Sequence, residues 1–552
     1  MPAGPGLAAG RVGNGGLVAG DERAVVVGAG HNGLVAANIL ADHGMTVTVF
    51  EAAQTPGGAV RTEELTRPGF RHDRYSAFYP LAGASPVLRE LRLEEHGLRW
   101  RHAPVPLVHL LPDDRCAVLS RDLAETAESV AEFVPGDAAA WRLAYRRWQQ
   151  VGPALLDAVL RPFPPVRPAV RLVGALRSTA DLLRFARFAV LPVQRMGQEL
   201  FAGEGARLLL AGNAAHTDMT PQAAGSGLFG WLLAMLGQEV GFPVPAGGAD
   251  GLIQALSARL HDRGGRLVCA APVARIVVRD GRAAGVRLAD GTTEPAGVVL
   301  ADVAAPTLYT ELVDREHVPG RLLRDLDRFE WDHGTVKVDW ALSGPIPWTA
   351  EPARRAGTIH LGTDMRGLTE YAGALAAGSV PDQPFVVFGQ MTTADPARSP
   401  AGTECAWAYT HVPQGLAGER ELVARQVDRI ERLLDKHAPG FGDLIMDRYV
   451  QGPAELASGD RNLVGGAVGG GTMNIYQQLV FRPVPGLGRA ETPVRGLYLA
   501  GAAAHPGGGV HGACGANAAR AALLRHRPAG PVAERALRFA LARTYRDTGS
   551  DW

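Results

Sequence analysis

"RAVVVGAGHNGLVAANILADHGMTVTVFE", residues 23–51, decides how this chain folds. Ala24–Val27 is a short, wholly apolar run rich in β-branched residues, the pattern of a strand buried on both faces. It runs into Gly28-Ala29-Gly30-His31-Asn32-Gly33, then a helical pattern over Leu34–Asp42, then a second apolar strand over Thr46–Phe50 that ends in Glu51. Strand, glycine turn, helix, strand and acid in that order form a dinucleotide-binding unit, and the fold class it implies is α/β. Gly28 permits the tight turn, Gly30 lets a pyrophosphate approach the backbone, and Gly33 lets helix and strand pack closely. Ala29 and Asn32 lie in the same turn and are expected to share the nucleotide contact. The helix N-terminus presents N–H groups and partial positive charge to the diphosphate. Glu51 is expected to accept hydrogen bonds from the adenosine ribose, and its charge disfavours a 2′-phosphate and so NADP.

Two further blocks narrow the nucleotide. After Glu51 and Ala52 comes Gly57-Gly58-Ala59-Val60-Arg61-Thr62. Near the other end, a strand pattern over Arg495–Ala500 precedes Gly501-Ala502-Ala503-Ala504-His505-Pro506-Gly507-Gly508-Gly509-Val510 and an alanine-rich helical run, Ala513–Leu524. Consecutive glycines before a helix expose backbone amides suited to a phosphate or a flavin edge. The first block, "EAAQTPGGAVRTEE", resembles the extended fingerprint of the FAD-binding amine oxidase and phytoene desaturase superfamily. The second resembles the C-terminal flavin signature of its phytoene-dehydrogenase-related branch. The resemblance covers roughly Arg23–Arg525 and implies FAD, with Ala52, Gly57, Gly58 and Arg61 against its diphosphate side and a backbone group near Val273 at the adenine. It also implies that Gly501, Ala502, Gly508, Gly509 and Val510 contact the flavin end. Ala504 stands where the signature carries Thr or Ser, and no Asp follows Gly501 to hold the ribityl chain.

The bulk properties agree with a multidomain enzyme. The chain has 552 residues, 56 basic and 56 acidic, so no global charge points to nucleic acid. Cys116, Cys269, Cys405 and Cys514 are far apart and form no CxxC pair, which argues against zinc and against disulfide-reductase chemistry. No histidine cluster offers a metal site. No run reaches the roughly 18 apolar residues of a membrane span, and the expected location is cytoplasmic with possible membrane association. Domain boundaries read as a disordered extension over 1–22; a discontinuous Rossmann-like FAD-binding domain from 23–100, 241–310 and 456–527; an inserted mixed α+β substrate domain from 101–240 (a helical lid) and 311–455; and a C-terminal tail over 528–552.

The substrate region is less legible. Alternation over Thr335–Leu342 predicts a strand carrying Lys337, which either stands on a solvent face or, as the resemblance to amine oxidases implies, reaches flavin N5 through a water. Between two helical stretches lie His216 and Asp218; His216 has the ordinary pKa range for acid–base work. His505 lies beside the expected flavin ring. Residues 158–198 carry seven arginines against one acid, Asp181, interleaved with apolar residues at helical spacing. That pattern fits a basic amphipathic surface at an anionic membrane or a soluble lid helix. The expected reaction is a dehydrogenation or desaturation, hydride passing from a largely apolar or amphipathic substrate to flavin N5. Oxygen or a quinone is the expected acceptor, since no second GxGxxG unit offers an NADPH site. Amine oxidation, a flavin-dependent isomerisation without net redox change, and an FAD-retaining scaffold are the alternatives.

Overall fold

A computed structural model describes residues 23–176, 178–415, 420–486, 488–524 and 530–546. The extension over 1–22 and one of the seven arginines, Arg177, lie outside the described residues.

The opening motif folds as its pattern requires. Arg23–Val27 and Thr46–Phe50 pair in parallel, each buried over its last four residues, and the helix His31–Asp42 crosses between them. Three strands from distant segments complete the sheet: Arg266–Val268 beside Thr46–Phe50, and Val298–Ala301 then Leu497–Leu499 on the other side. Numbered along the chain, the five parallel strands stand in the order 5-4-1-2-3. The order reverses between strands 1 and 4, and in such sheets the crevice outside the strands' carboxyl ends at that point takes the ligand. The fold is therefore α/β with a Rossmann-like domain assembled from separated segments. Asp280-Gly281 turns a hairpin between Val273–Arg279 and Arg282–Leu288, which with Thr293–Pro295 forms a small antiparallel sheet.

A seven-stranded sheet forms the second layer. Its order is Ile445–Gln451, Gly334–Leu342, Glu404–Val412, Val386–Gln390, Ala356–Leu361, Val105–Leu110 and Cys116–Leu119, antiparallel except between Ala356–Leu361 and Val105–Leu110. Alternation sorts its faces. Val336, Val338, Trp340 and Leu342 point into a core shared with the helix Arg420–His437, whose Leu422, Val427, Ile430 and Leu434 recur at helical spacing. The opposite face meets the nucleotide domain: Cys405 and Trp407 pack in the same core as Ala24, Val26 and Leu34.

One boundary differs from the sequence reading. The segment 101–240 is not helical throughout, because Val105–Leu110 and Cys116–Leu119 join the seven-stranded sheet and helices begin only at Leu123. The C-terminal tail over 528–552 is ordered in its described part. It carries a helix, Gly530–Thr544, and buries Leu541 and Tyr545 against the sheet side that holds Val25 and Val299.

Candidate active site

The glycine turn leaves the end of the first strand with Gly28 at φ +93°, where a side chain is strained. Space is equally restrictive: a Cβ on Gly33 would lie 2.2 Å from the Gly28 carbonyl oxygen. Gly57 joins this turn by donating its N–H to the Ala29 carbonyl at 2.9 Å, so the Gly57-Gly58 block closes over the glycine turn.

Glu51 sits at the carboxyl end of the second strand and accepts backbone N–H groups on both oxygens, Ala29 at 2.7 Å and Ala53 at 2.8 Å. Its own carbonyl accepts the N–H of Ala271, two residues before Val273, which brings Val273 beside the same strand end. Arg61 donates to the Tyr75 hydroxyl at 2.8 Å and the Gly459 carbonyl at 2.9 Å and lies over the Tyr75 ring. Gly501 and Ala502 follow the fifth strand. Ala502 packs against Gly470 and Gly508 against Gly469, and buried Arg482 ties these turns together by donating to the carbonyls of Gly470, Thr472 and Ala502. Gly508 and Gly509 precede Val510 at the entry to the helix Ala513–Leu524.

Two carboxylates at this crevice went unread in the sequence. Asp302 follows the fourth strand as Glu51 follows the second, and it accepts the Gly33 N–H at 2.8 Å. Burial pushes its pKa up to about 7, opposed by the Gly33 hydrogen bond and reinforced by Asp460 and Glu51. Asp460 lies 3.4 Å from where a Gly58 Cβ would be, and burial raises its pKa too. The alignment of an acid with a strand end was the available signal for Asp302; Asp460 had none, because it lies in a loop.

The crevice fits a dinucleotide. Two buried polar atoms of the turn, His31 Nε2 and Asn32 Oδ1, find no hydrogen-bond partner among the described residues, and Arg61 Nε nearby has only a long contact of 4.0 Å to Glu63. The glycine turn leaves space that side chains would fill, and Glu51 is fixed by the turn itself.

The sheet face opposite carries the candidate acid–base groups. His216 follows the helix Glu204–Ala214, and its Nε2 lies 2.8 Å from His360 Nε2, while its Nδ1 lies 3.5 Å from the Tyr409 hydroxyl. Burial pulls the pKa of His216 down to about 4 and holds His360 well below the ordinary range. His109 donates to the Thr363 carbonyl, which sets its tautomer, and its Nδ1 has no hydrogen-bond partner among the described residues. A Cβ on Gly212 would meet His360 Nδ1 at 2.4 Å and His109 Nδ1 at 2.9 Å, so that glycine lets the helix close on both rings. Sequence reasoning reached His216 alone; strand pairing across distant segments brought in His360, His109 and Tyr409.

Lys337 has no solvent face. It is 3% exposed and donates to both oxygens of Asp339 on its own strand, 5.9 Å from the centroid of the Trp407 ring. Burial raises Asp339 to about 6 against the pull of Lys337. His72 stands 3.7 Å from Asp339 and 3.2 Å from Cys405 Sγ, and burial lowers its pKa to about 3. His505 donates through Nε2 to the Arg161 carbonyl at 2.8 Å, and burial lowers it to about 4. All four cysteines are free, and among the described residues no group of side chains is placed to hold a metal.

Known proteins are similar to this chain in sequence and in fold. Residues 26–91 match the NAD(P)-binding Rossmann-like domain family. The mouse pyridine nucleotide-disulfide oxidoreductase domain-containing protein 2 is 30% identical over 542 residues, covering 90% of this chain and 92% of that protein. Hydroxyneurosporene desaturase of Cereibacter sphaeroides is 29% identical over 517 residues, covering 88% and 94%. Among solved structures, cyclohexylamine oxidase from Brevibacterium oxydans superposes with a TM-score of 0.58 at 16% identity, covering 92% of this chain and 100% of that one, a likeness of fold. The chain belongs to the family of pyridine nucleotide-disulfide oxidoreductase domain-containing protein 2, among the FAD-dependent oxidoreductases related to the phytoene desaturases.

Proposed function

We propose that this FAD-dependent oxidoreductase dehydrogenates a largely apolar or amphipathic organic substrate, hydride leaving a substrate C–H for flavin N5. Bound FAD supplies the two-electron acceptor, and oxygen or a quinone removes the electrons afterwards. We assign the diphosphate to the turn Gly28–Gly33 with Gly57, Gly58 and Arg61, and the adenosine to Glu51, Ala52 and Val273. The flavin end falls to Gly501, Ala502, Gly508, Gly509 and Val510.

The observation that carries this reading is the run Tyr409–His216–His360 on the sheet face turned toward the nucleotide domain. Removing hydride from one carbon leaves a proton to be taken from its neighbour. Burial keeps His216 and His360 neutral and makes them weak bases, so a proton taken by one ring nitrogen is passed along the 2.8 Å contact and not held. His505 and Lys337, each engaged with a partner, hold their turn and strand in place.

Amine oxidation is the second reading. The stacked rings of Trp407 and Tyr409, 5.9 Å apart and 9° from parallel beside Lys337, favour it. The clamp of Lys337 on Asp339 weighs against a lysine that anchors a water at N5.

Mixing the oxidised enzyme anaerobically with amphipathic alkenes, terpenoids and primary amines tests the reading. Loss of visible flavin absorbance with an unsaturated hydrocarbon precursor, slowed by deuterium at the reacting carbon, supports dehydrogenation. Tyr409→Phe should slow that bleaching by about 10²-fold. Bleaching by amines alone would replace the proposal with the second reading.

We also assign peripheral membrane contact to 158–198. Val166, Val170 and Val173 form one exposed stripe on the helix Val166–Ala175, and Leu183 and Val190 are exposed on the next, Thr179–Val190. Five of the six described arginines there pair with acids: Arg161 and Arg171 with Asp157, Arg184 with Asp181, Arg187 and Arg195 with Glu199. The apolar stripe therefore contributes more to such contact than the arginine count suggests. No helix among the described residues is long and apolar enough to cross a membrane.

A further inference from the structure

A cleft of about 550 Å³ opens where the carboxyl ends of the helices His31–Asp42 and Ala513–Leu524 come together, at the opposite end of both helices from the glycine turns. Arg161, Arg167, Arg489 and Arg520 line it, against Asp42 and Glu90. Both acids are already engaged, Asp42 by Arg259 and Arg263 and Glu90 by Arg520. Arg161 is paired with Asp157 and Arg489 with Glu491, but no partner is found for Arg167 among the described residues. Cations do gather at helix C-termini to offset the dipole there. That accounts for Arg520, which lies on one of the two helices; Arg161, Arg167 and Arg489 come from other segments and turn to the same space.

The rest of the wall is apolar. Ile39, Leu91, Leu523 and Leu524 line it, and Leu524 is 39% exposed at the mouth. At the floor, Asn517 is 2% exposed and donates to the Leu160 carbonyl, while its Oδ1 finds no donor among the described residues. A cleft of this size falls in the range of small-ligand sites of roughly 300–1,000 Å³. With Arg161, Arg489 and Arg520 already paired, Arg167 is the lining guanidinium for which no acid is found among the described residues; it calls for an anion, and guanidinium forks match oxyacid geometry. Its leucines call for an alkyl chain.

We infer that this cleft binds an amphiphile with an oxyacid head, a phosphate or carboxylate, joined to an alkyl chain. The head meets Arg167, Arg489 and Arg520, and the chain lies along Leu91, Leu523 and Leu524. The site is separate from the flavin crevice and does not depend on which substrate is oxidised there. Such an amphiphile is available as a membrane phospholipid or as a free alkyl oxyacid.

Calorimetric titration of the FAD-loaded enzyme with dodecyl phosphate, kept below its micelle concentration, tests this. One saturable site per chain is expected, with inorganic phosphate and dodecanol each at least tenfold weaker. Arg167→Glu and Arg520→Ala should each weaken binding at least tenfold while FAD content stays unchanged. Arg184→Glu, remote from the cleft, should leave binding unaltered. Phosphatidylglycerol vesicles added as competitor identify the source: displacement assigns the phospholipid, and no displacement assigns the free oxyacid, either outcome supporting the site. Absence of saturable binding, or binding indifferent to Arg167→Glu and Arg520→Ala, would overturn it.

Discussion

The Asp302 carboxylate accepts the amide N–H of Gly33 at 2.8 Å, tying the end of the fourth parallel strand to the first turn of the first helix. A carboxylate thus occupies the positive end of the helix to which the diphosphate is assigned.

This contact makes nucleotide binding sensitive to pH. Burial raises Asp302 to about 7, so the folded chain keeps a proton that the unfolded chain has released above its ordinary value of 3.8. The stability this provides is complete below that ordinary value and is lost as pH rises through about 7. Asp302→Asn should flatten the dependence, an effect of up to about 4 kcal/mol on the apoprotein at pH 8. FAD affinity should also stop falling with pH, because an ionised Asp302 repels the diphosphate and Asn does not. Urea unfolding and FAD titration at pH 5 and pH 8 check both. Equal pH slopes in the two proteins would contradict the role given to Asp302.

Gly33→Ala places a methyl group 2.2 Å from the Gly28 carbonyl oxygen, and backbone cannot yield as a side-chain tip does. The helix must move away from the strand, at a cost of about 1–3 kcal/mol. FAD affinity should fall at least tenfold, read by flavin fluorescence. Wild-type affinity in the variant would mean that helix and strand are not packed as described.

Lys337→Met leaves Asp339 buried without its cation and should destabilise the protein by about 3–5 kcal/mol. Lys337→Met with Asp339→Leu should recover most of that loss, since both charges leave together. Thermal unfolding of the single and double variants decides. A single variant as stable as the parent would show that the pair is not closed in the native protein.

The nucleotide half of the fold was legible because its signal is local. Gly28, Gly30, Gly33 and Glu51 fall within one strand–helix–strand unit, and each residue's task follows from its place in that unit. Asp302 and the fifth strand required knowing which distant strands join the sheet. The substrate half was less legible for the same reason in stronger form. His109, His216, His360 and Tyr409 lie up to 300 residues apart along the chain; the pairing of Ala356–Leu361 with Val105–Leu110, and of Val386–Gln390 with both neighbours, brings His109, His360 and Tyr409 to one face, where the end of the helix Glu204–Ala214 places His216. Lys337 was placed on its strand correctly, but alternation alone does not tell which face a second layer covers.

Membrane contact is read most directly by co-sedimentation with liposomes. Binding should need anionic lipid, weaken with salt, and fall at least fivefold when Val166, Val170 and Val173 are changed to Ser, because apolar burial holds the helix in the interface. Arg184→Glu with Arg187→Glu should have a smaller effect, since both arginines already pair with acids. Equal recovery of parent and valine variant in the supernatant at low salt would remove the proposed contact.

The central claim is that FAD lies in the crevice at the carboxyl ends of the five parallel strands. Flavin released by acid from the purified protein, identified by chromatography and counted per chain, tests it most directly. The account predicts a yellow protein that yields one FAD per chain and exchanges none of it for FMN, because Glu51 and Val273 hold an adenosine that FMN lacks. Recovery of FMN, or of no flavin after incubation of the folded protein with excess FAD, would contradict it.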